Sequence, residues 1–252
     1  MFKVVLDAGH GLYTAGKRCL KSIDKNETRE WWLNDRICDK VIEKLASYDG
    51  YLLLRVDDIT GNTDVSLESR VSKANEFGAD FYLSVHHNAG INGGKGGGIL
   101  SLVYTNASEK SREYQKIIYD ALIKETGLKG NRSTPLGEEN LYVCRKTTMP
   151  CVLIECGFMD STTDTPIILT DEFADSAAEG IVNALVKIGG LKKSASGFKD
   201  IKGHYAESAI RDLASMGIVV GKTNDKFAPD DAITRGEVAL IARRIVKYIT
   251  GK

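Results

Sequence analysis

Six short apolar runs, separated by stretches of helical spacing, fill the first 190 residues, and this alternation narrows the fold more than any other feature. The runs are residues 3–7, 51–55, 80–86, 98–104, 141–144 and 151–155, and each reads as a strand. Between them, residues 30–47 place Leu33, Ile37, Val41 and Leu45 at every fourth position, with Cys38 and Ile42 widening the stripe. Residues 66–77, 108–126 and 171–188 are further helix candidates, with Ser66 and Ser108 where N-caps belong. Apolar strands alternating with helices predict an α/β domain: a twisted, mainly parallel sheet flanked by helices on both faces. The glycine-rich run at 92–98 suits neither helix nor strand. It reads as a flexible loop after the 80–86 strand, where open α/β sheets place substrate-contacting loops, and it lacks the spacing of a phosphate loop.

The pattern breaks at residues 189–197, GGLKKSASG, whose small and polar character is that of a domain linker. Residues 198–252 follow as a small all-α unit, in which residues 206–216 are amphipathic and Thr234 caps a last helix reaching Tyr248. The division predicted is therefore 1–188, a linker at 189–197, and 198–252. So short a terminal unit needs a partner or self-association to bury enough surface. The formal net charge of +0 hides an asymmetry, because acidic residues are in excess before residue 191 and basic residues after it. A mildly basic tail suits an anionic polymer, and no nucleic-acid partner is expected.

No apolar stretch approaches bilayer length, so no membrane span is expected. The N-terminus runs directly into a core strand without the segments of a secretory signal. The expectation is a chain made in the cytosol and released by another route, or one whose signal has been removed. Five cysteines without a C-x-x-C spacing do not make a disulfide framework. Cys144, Cys151 and Cys156 lie in apolar segments and read as buried free thiols, whereas Cys19 sits in a polar stretch where exposure is open to it.

Two of the four histidines, His10 and His86, close strand-like runs, where open α/β sheets collect working residues. Glu30 stands at a helix start and Glu155 at the end of the most apolar run. Two imidazoles and a carboxylate form a His₂Glu set that leaves one position of a hydrolytic zinc open, and Glu155 would be the spare carboxylate that moves a proton. Burial at a strand end would raise its pKa toward a useful value. His87 adjoins His86, and since side chains alternate along a strand only one of the pair can share a face with Ser84 and Asn88; spacing does not choose between them.

These residues sit in recognisable surroundings. Residues 5–11, VLDAGHG, resemble the D-x-G-H-G opening of the zinc-dependent N-acetylmuramoyl-L-alanine amidases of the Amidase_3 family. Residues 29–34, REWWLN, resemble its second element, 84–89, SVHHNA, its third, and 150–158, PCVLIECGF, its last. The elements come in the family's order and cover residues 1 to about 188. The resemblance implies Zn2+ held by His10, Glu30 and His86, choosing Glu30 over the nearby Glu27 and His86 over His87, with Glu155 as catalytic carboxylate. It implies cleavage of the amide between the lactyl group of N-acetylmuramic acid and L-alanine in peptidoglycan. Asn88, with Lys17 and Arg18 in the loop after His10 and the 93–98 glycine loop, would contact substrate. Asp160 and Ser161 depart from the small residue and Asn usual after the G-F pair.

The tail has its own likeness. Residues 198–206, FKDIKGHYA, resemble the opening of an S-layer homology (SLH) motif, and residues 233–237, ITRGE, its later I-T-R-A-E element. The resemblance implies binding to an anionic secondary cell-wall polymer, with the Arg235 guanidinium contacting its carboxylates. His204 would be structural, and Trp31 and Trp32 would pack a helix. Such motifs usually come in threes, and the single copy here implies either a homo-trimer through the tail, the favoured reading, or weak binding. A phage or prophage endolysin, held in the cytoplasm until a holin pore opens, fits this combination. The other readings are a bacterial autolysin, a zinc peptidase of the peptide stem, or an inactive wall-binding protein; four filled catalytic positions argue against the last.

Overall fold

A computed structural model describes residues 1–193, 197–223 and 225–250. A six-stranded sheet has the order β3 (Tyr51–Arg55), β1 (Phe2–Ala8), β4 (Phe81–Asn88), β7 (Cys151–Phe158), β5 (Leu100–Tyr104) and β6 (Leu136–Glu139). The first four run parallel; β5 opposes β7, and β6 runs parallel to β5. The sheet is mixed and mostly parallel, as the alternating sequence predicts.

Helices α1 (Glu30–Leu45), α3 (Glu109–Thr126) and α6 (Asp171–Gly189) pack on one another and cover one face. There Val4, Leu6, Leu83, Val85, Val152 and Ile154 meet Leu33, Ile37, Val41, Ile118, Leu122 and Ile181 in the principal core. The opposite side chains of the same strands, Val5, Tyr82 and Cys151, pack a smaller core with Val71, Ala74 and Val143 of α2 (Leu67–Phe77) and α4 (Tyr142–Lys146). Each buried Leu, Ile or Val contributes about 1.5–3 kcal/mol, so the three-helix face dominates stability. Ser66 and Ser108 cap α2 and α3 by accepting from the Ser69 and Ser111 amides.

Two elements differ from expectation. Residues 141–144 are not a strand but open α4, whose first turn closes when the Arg145 amide donates to the Leu141 carbonyl at 3.0 Å. Four apolar residues are too few to separate strand from helix by period. The sixth strand is instead β6, LGEE, an edge strand with most of its residues exposed and hence without an apolar alternation. The expected linker also begins in ordered structure: Gly189 ends α6, and β8 (Lys192–Lys193) pairs antiparallel with β2 (Tyr48–Asp49). Residues 194–196 of that segment lie outside the described residues.

In the tail, a 3-10 turn (Lys199–Ile201) and α7 (Glu207–Ser215) contribute to a small core of Phe198, Ile201 and Ile210, and α8 (Arg235–Thr250) follows. A short α5 (Thr165–Ile168) precedes α6. Thr234 and Glu237 form a reciprocal capping box at the start of α8, and His204 bridges the Ala206 amide to Asp230. Among the described residues no helix is long and apolar enough to cross a membrane. Cys19 is buried, because its loop folds back and its amide donates to the Thr28 carbonyl at 2.8 Å; Cys144 is only half-buried.

Candidate metal centre

The site forms at the C-terminal ends of β1, β4 and β7, where parallel register sets its residues side by side. Asp7 lies opposite Ser84, and His86 opposite Glu155, so each pair shares a face. Beyond β1 the chain turns sharply: His10 has φ +67°, an unusual conformation for a residue with a side chain. Gly9 before it has no space for a Cβ, which would fall 2.1 Å from Cε1 of His86. Glycine there lets the two imidazoles approach, edge to face, with ring centroids 4.9 Å apart.

Glu30, the first residue of α1, reaches the same point. Its Oε1 lies 3.0 Å from Nδ1 of His86 and 3.4 Å from Nε2 of His10, and the His87 amide donates to it at 3.3 Å. The helix N-terminus favours a carboxylate here. Burial pushes the Glu30 carboxyl up, but hydrogen bonds and charge from His10 and His86 outweigh this and hold it well below the usual range. Burial likewise works to lower His86, and Glu30 overcomes it and raises the imidazole. Ligand atoms of His10, Glu30 and His86 all lie within 4.8 Å of one another, close enough to hold one metal ion.

Glu155 faces this cluster from β7. Its Oε2 is buried with no hydrogen-bond partner, and burial pushes its pKa up to about 7. An unpartnered buried carboxyl is costly as a purely structural feature. It lines an open pocket of about 490 Å³ together with Lys17, His10, Arg70, Ser84, His86 and Tyr142.

His87 points away. Its Nδ1 donates to Oδ1 of Asn34 at 2.8 Å, Asn34 donates in turn to the Gly9 carbonyl at 3.1 Å, and burial pushes its pKa down to about 3. A neutral His87 braces the turn that presents His10. The remaining sequence candidates divide. Lys17 enters the pocket with Nζ 3.7 Å from Oε2 of Glu30, and its carbonyl accepts from the Glu30 amide. Arg18 instead pairs with Glu27 at 3.1 Å, outside the pocket lining. Asn88 accepts from the Ala89 amide at 2.7 Å and also stands outside that lining. Trp31 is buried against Gly61, while Trp32 is half-exposed with Arg36 over its ring.

The 92–98 loop is extensively tethered. The Gly90 and Asn92 amides donate to Asp160, Gly98 and Phe158 donate to Asp164, and Gly97 donates to Asn131. Asp160 thus has a role in loop anchoring at the place where the sequence departs from the family pattern.

Arg70 is the residue that the sequence reading missed. Its guanidinium grips the Asp7 carboxylate and donates to the carbonyls of Ala8 and His10 at 2.8 Å each, while Nε donates to Val65. The signal was present: Leu67, Arg70, Val71, Ala74 and Phe77 make an apolar stripe that one charge interrupts.

Residues 4–187 match the N-acetylmuramoyl-L-alanine amidase family Amidase_3, and residues 197–239 match the S-layer homology domain. The chain belongs to the Amidase_3 family. It is similar to the sporulation-specific N-acetylmuramoyl-L-alanine amidase of Bacillus subtilis (strain 168), at 32% identity over 78% of this chain and 71% of that protein. It is equally similar to an endolysin of Bacillus phage SPP1, 32% identical over 78% of this chain and 70% of the relative. Among solved structures, an N-acetylmuramoyl-L-alanine amidase from Clostridium difficile 630 superposes with TM-score 0.66 at 28% identity, covering 74% of this chain and 95% of the other. The catalytic domain of CwlV from Bacillus (Paenibacillus) polymyxa var. colistinus, at 23% identity and TM-score 0.67 over 76% of this chain and 100% of its own, shares the fold. Amidase_3 membership agrees with the expected enzyme class, and the SLH domain of the tail indicates action at the cell wall.

Proposed function

We propose that this amidase is zinc-dependent and hydrolyses the bond between the lactyl group of N-acetylmuramic acid and L-alanine in peptidoglycan. The observation that carries the reading is the convergence of His10, Glu30 and His86 beside the unpartnered carboxyl of Glu155. The donor set fits zinc: two imidazoles and one carboxylate whose Oε2 is buried without a hydrogen bond, with one coordination position left over. Zinc bound there supplies Lewis acidity toward a carbonyl and makes water nucleophilic near neutral pH. Glu155, with its pKa raised to about 7, takes a proton from attacking water and delivers it to the departing alanine nitrogen. Lys17 contributes a positive charge on the pocket wall, suited to a carboxylate of the peptide stem. Arg18 and Asn88 bear on substrate through the loop and strand end that carry them.

The catalytic unit is assigned to residues 1–188 and the wall-binding unit to 198–252, joined by 189–197. In the tail, Arg235 is exposed at the first turn of α8, while Glu237 and Asp231 engage Thr234 and Lys222. That leaves its guanidinium directed to an anionic secondary wall polymer. The slight tail core and the exposed Val238, Leu240 and Ile249 of α8 support association of three tails. The endolysin relative supports a phage or prophage enzyme retained in the cytoplasm until a pore opens, and the sporulation amidase relative supports a host enzyme instead. Neighbouring genes separate the two.

The deciding experiment is mass spectrometry of digested peptidoglycan, with and without a chelator. New N-terminal L-alanine that disappears on chelation is expected; release of D-alanine would refute the amide assignment. Glu155→Ala should stop lysis while preserving zinc stoichiometry, and undiminished lysis would remove Glu155 from its role.

A further inference from the structure

We propose that Cys144 and Cys151 form a reversible intramolecular disulfide that ties α4, a wall of the pocket, to the first residue of β7. Their sulfurs lie 2.8 Å apart, well inside ordinary non-bonded contact and on the way to the roughly 2.0 Å of a disulfide bond. Among the described residues no other two cysteine sulfurs stand within hydrogen-bonding distance of each other, and Cys19, Cys38 and Cys156 are buried.

The framework between the two cysteines imposes this approach. The Thr147 hydroxyl donates to the Val143 carbonyl at 2.8 Å and closes the end of α4. Asn75 of α2 then clamps the turn, donating to the Lys146 carbonyl at 3.2 Å and accepting from the Thr148 amide at 3.0 Å. The Tyr82 amide donates to the Pro150 carbonyl at 3.0 Å and fixes the entry to β7. Both Cα positions are therefore set by hydrogen bonds to neighbouring elements, and bond formation requires little more than a side-chain adjustment.

Accessibility also suits an ordered exchange. Cys144 is half-buried and Cys151 buried. The Cys144 thiolate attacks a small-molecule disulfide such as oxidised glutathione, releasing one thiol and forming a mixed disulfide. The Cys151 sulfur then attacks the Cys144 sulfur of the mixed disulfide from inside the protein, breaking its bond to the small thiol, and the Cys151 proton passes to the departing small thiolate. Two protein thiols and one small disulfide become one protein disulfide and two small thiols. A reducing cell interior keeps the pair open, and an oxidising exterior closes it.

The consequence falls on the pocket. Tyr142 and Val143, adjacent to Cys144, line it, and Cys151 begins the strand that carries Glu155. The bond fastens that wall to that strand without touching either Glu155 or the proposed ligands. The test concerns thiols and thermal stability, so its outcome is independent of the catalytic assignment.

The full chain is equilibrated with excess oxidised glutathione, denatured, alkylated and mapped by mass spectrometry. Two of the five cysteines, Cys144 and Cys151, should escape alkylation and appear as a linked peptide pair that a strong reductant restores. The melting temperature should rise by roughly 5 °C on oxidation, and Cys144→Ser should abolish both changes. Five alkylated thiols, or a mixed disulfide that persists on Cys144, would overturn the bond. Bond formation without a rise in melting temperature would overturn its role as a tie.

Discussion

The Arg70 guanidinium is 1% exposed and directs its donors at Asp7, Ala8, Val65 and His10. No other residue type supplies that planar fork, and lysine would offer only a point charge. Arg70→Lys should therefore cost about 2–4 kcal/mol of stability, since it leaves a buried acceptor set partly unsatisfied. It should also weaken zinc binding by about 10-fold or more, because the His10 turn loses its brace. Urea unfolding and competitive zinc titration test the two effects separately; unchanged zinc affinity in a destabilised variant would make Arg70 structural only. Glu155 gives a prediction of opposite sense. Its pKa, raised by burial from 4.5 to about 7, means that its stabilising contribution is full below about 4.5 and is lost as pH rises through about 7. In chelator, Glu155→Gln should gain on the parent by about 1–3 kcal/mol between pH 5 and pH 8. Denaturation curves that stay parallel at both pH values would show that the carboxyl is not desolvated. His10, Glu30, His86 and Glu155 were readable as candidates in the sequence because each sits in a short motif at or near an element's end. Arg70 showed only as a charge within an apolar stripe, because its contacts with Asp7 and with backbone carbonyls follow from no motif spacing.

At the level of elements, the glycine run illustrates what composition conceals. Seven residues rich in glycine read as flexible, yet their amides are taken up by Asp160, Asp164, Asn131 and Thr163. Gly97 and Gly98 have φ of +123° and +93°, and a Cβ on Gly97 would meet Asp164 at 2.3 Å, so glycine serves close approach as well as backbone freedom. Asp164 accepts from both Gly98 and Phe158 and thereby links this loop to the end of β7. Asp164→Ala should destabilise the fold by about 2–4 kcal/mol, leaving two amides in buried surroundings unpaired, and should speed amide exchange at Gly98. Equal exchange in parent and variant would mean that the loop is held elsewhere. The strand and helix pattern was readable wherever an element was long enough to show its period, as in α1 and α6. It failed at α4 and β6, the first too short to reveal a period and the second at an edge, where two glutamates replace the apolar face.

Across the whole molecule, the pocket and the point where the tail meets the sheet lie at opposite ends of the parallel strands. The pocket opens where β1, β4 and β7 finish, whereas Ser215 of the tail lies beside Tyr51, the first residue of β3. The first residues of the proposed linker also pack on the catalytic unit, because Leu191 is buried in the main core and Lys192 and Lys193 form a ladder with β2. Truncation after Lys193 should keep hydrolysis of soluble muropeptides, while truncation after Gly190 should cost a further 1.5–3 kcal/mol or so from the lost Leu191. The proposed trimer is testable through α8, where Leu240 is 50% exposed on a helix that also exposes Val238 and Ile249. Leu240→Glu would set three like charges together at a three-fold contact but only place one more charge on a monomer's surface. Sedimentation should show a trimer for the parent and a monomer for the variant, with soluble-substrate turnover unchanged. Wall pelleting should fall by about 100-fold or more, since three linked sites gain avidity that one cannot. A parent that sediments as a monomer and still pellets fully with walls would place the binding in a single tail.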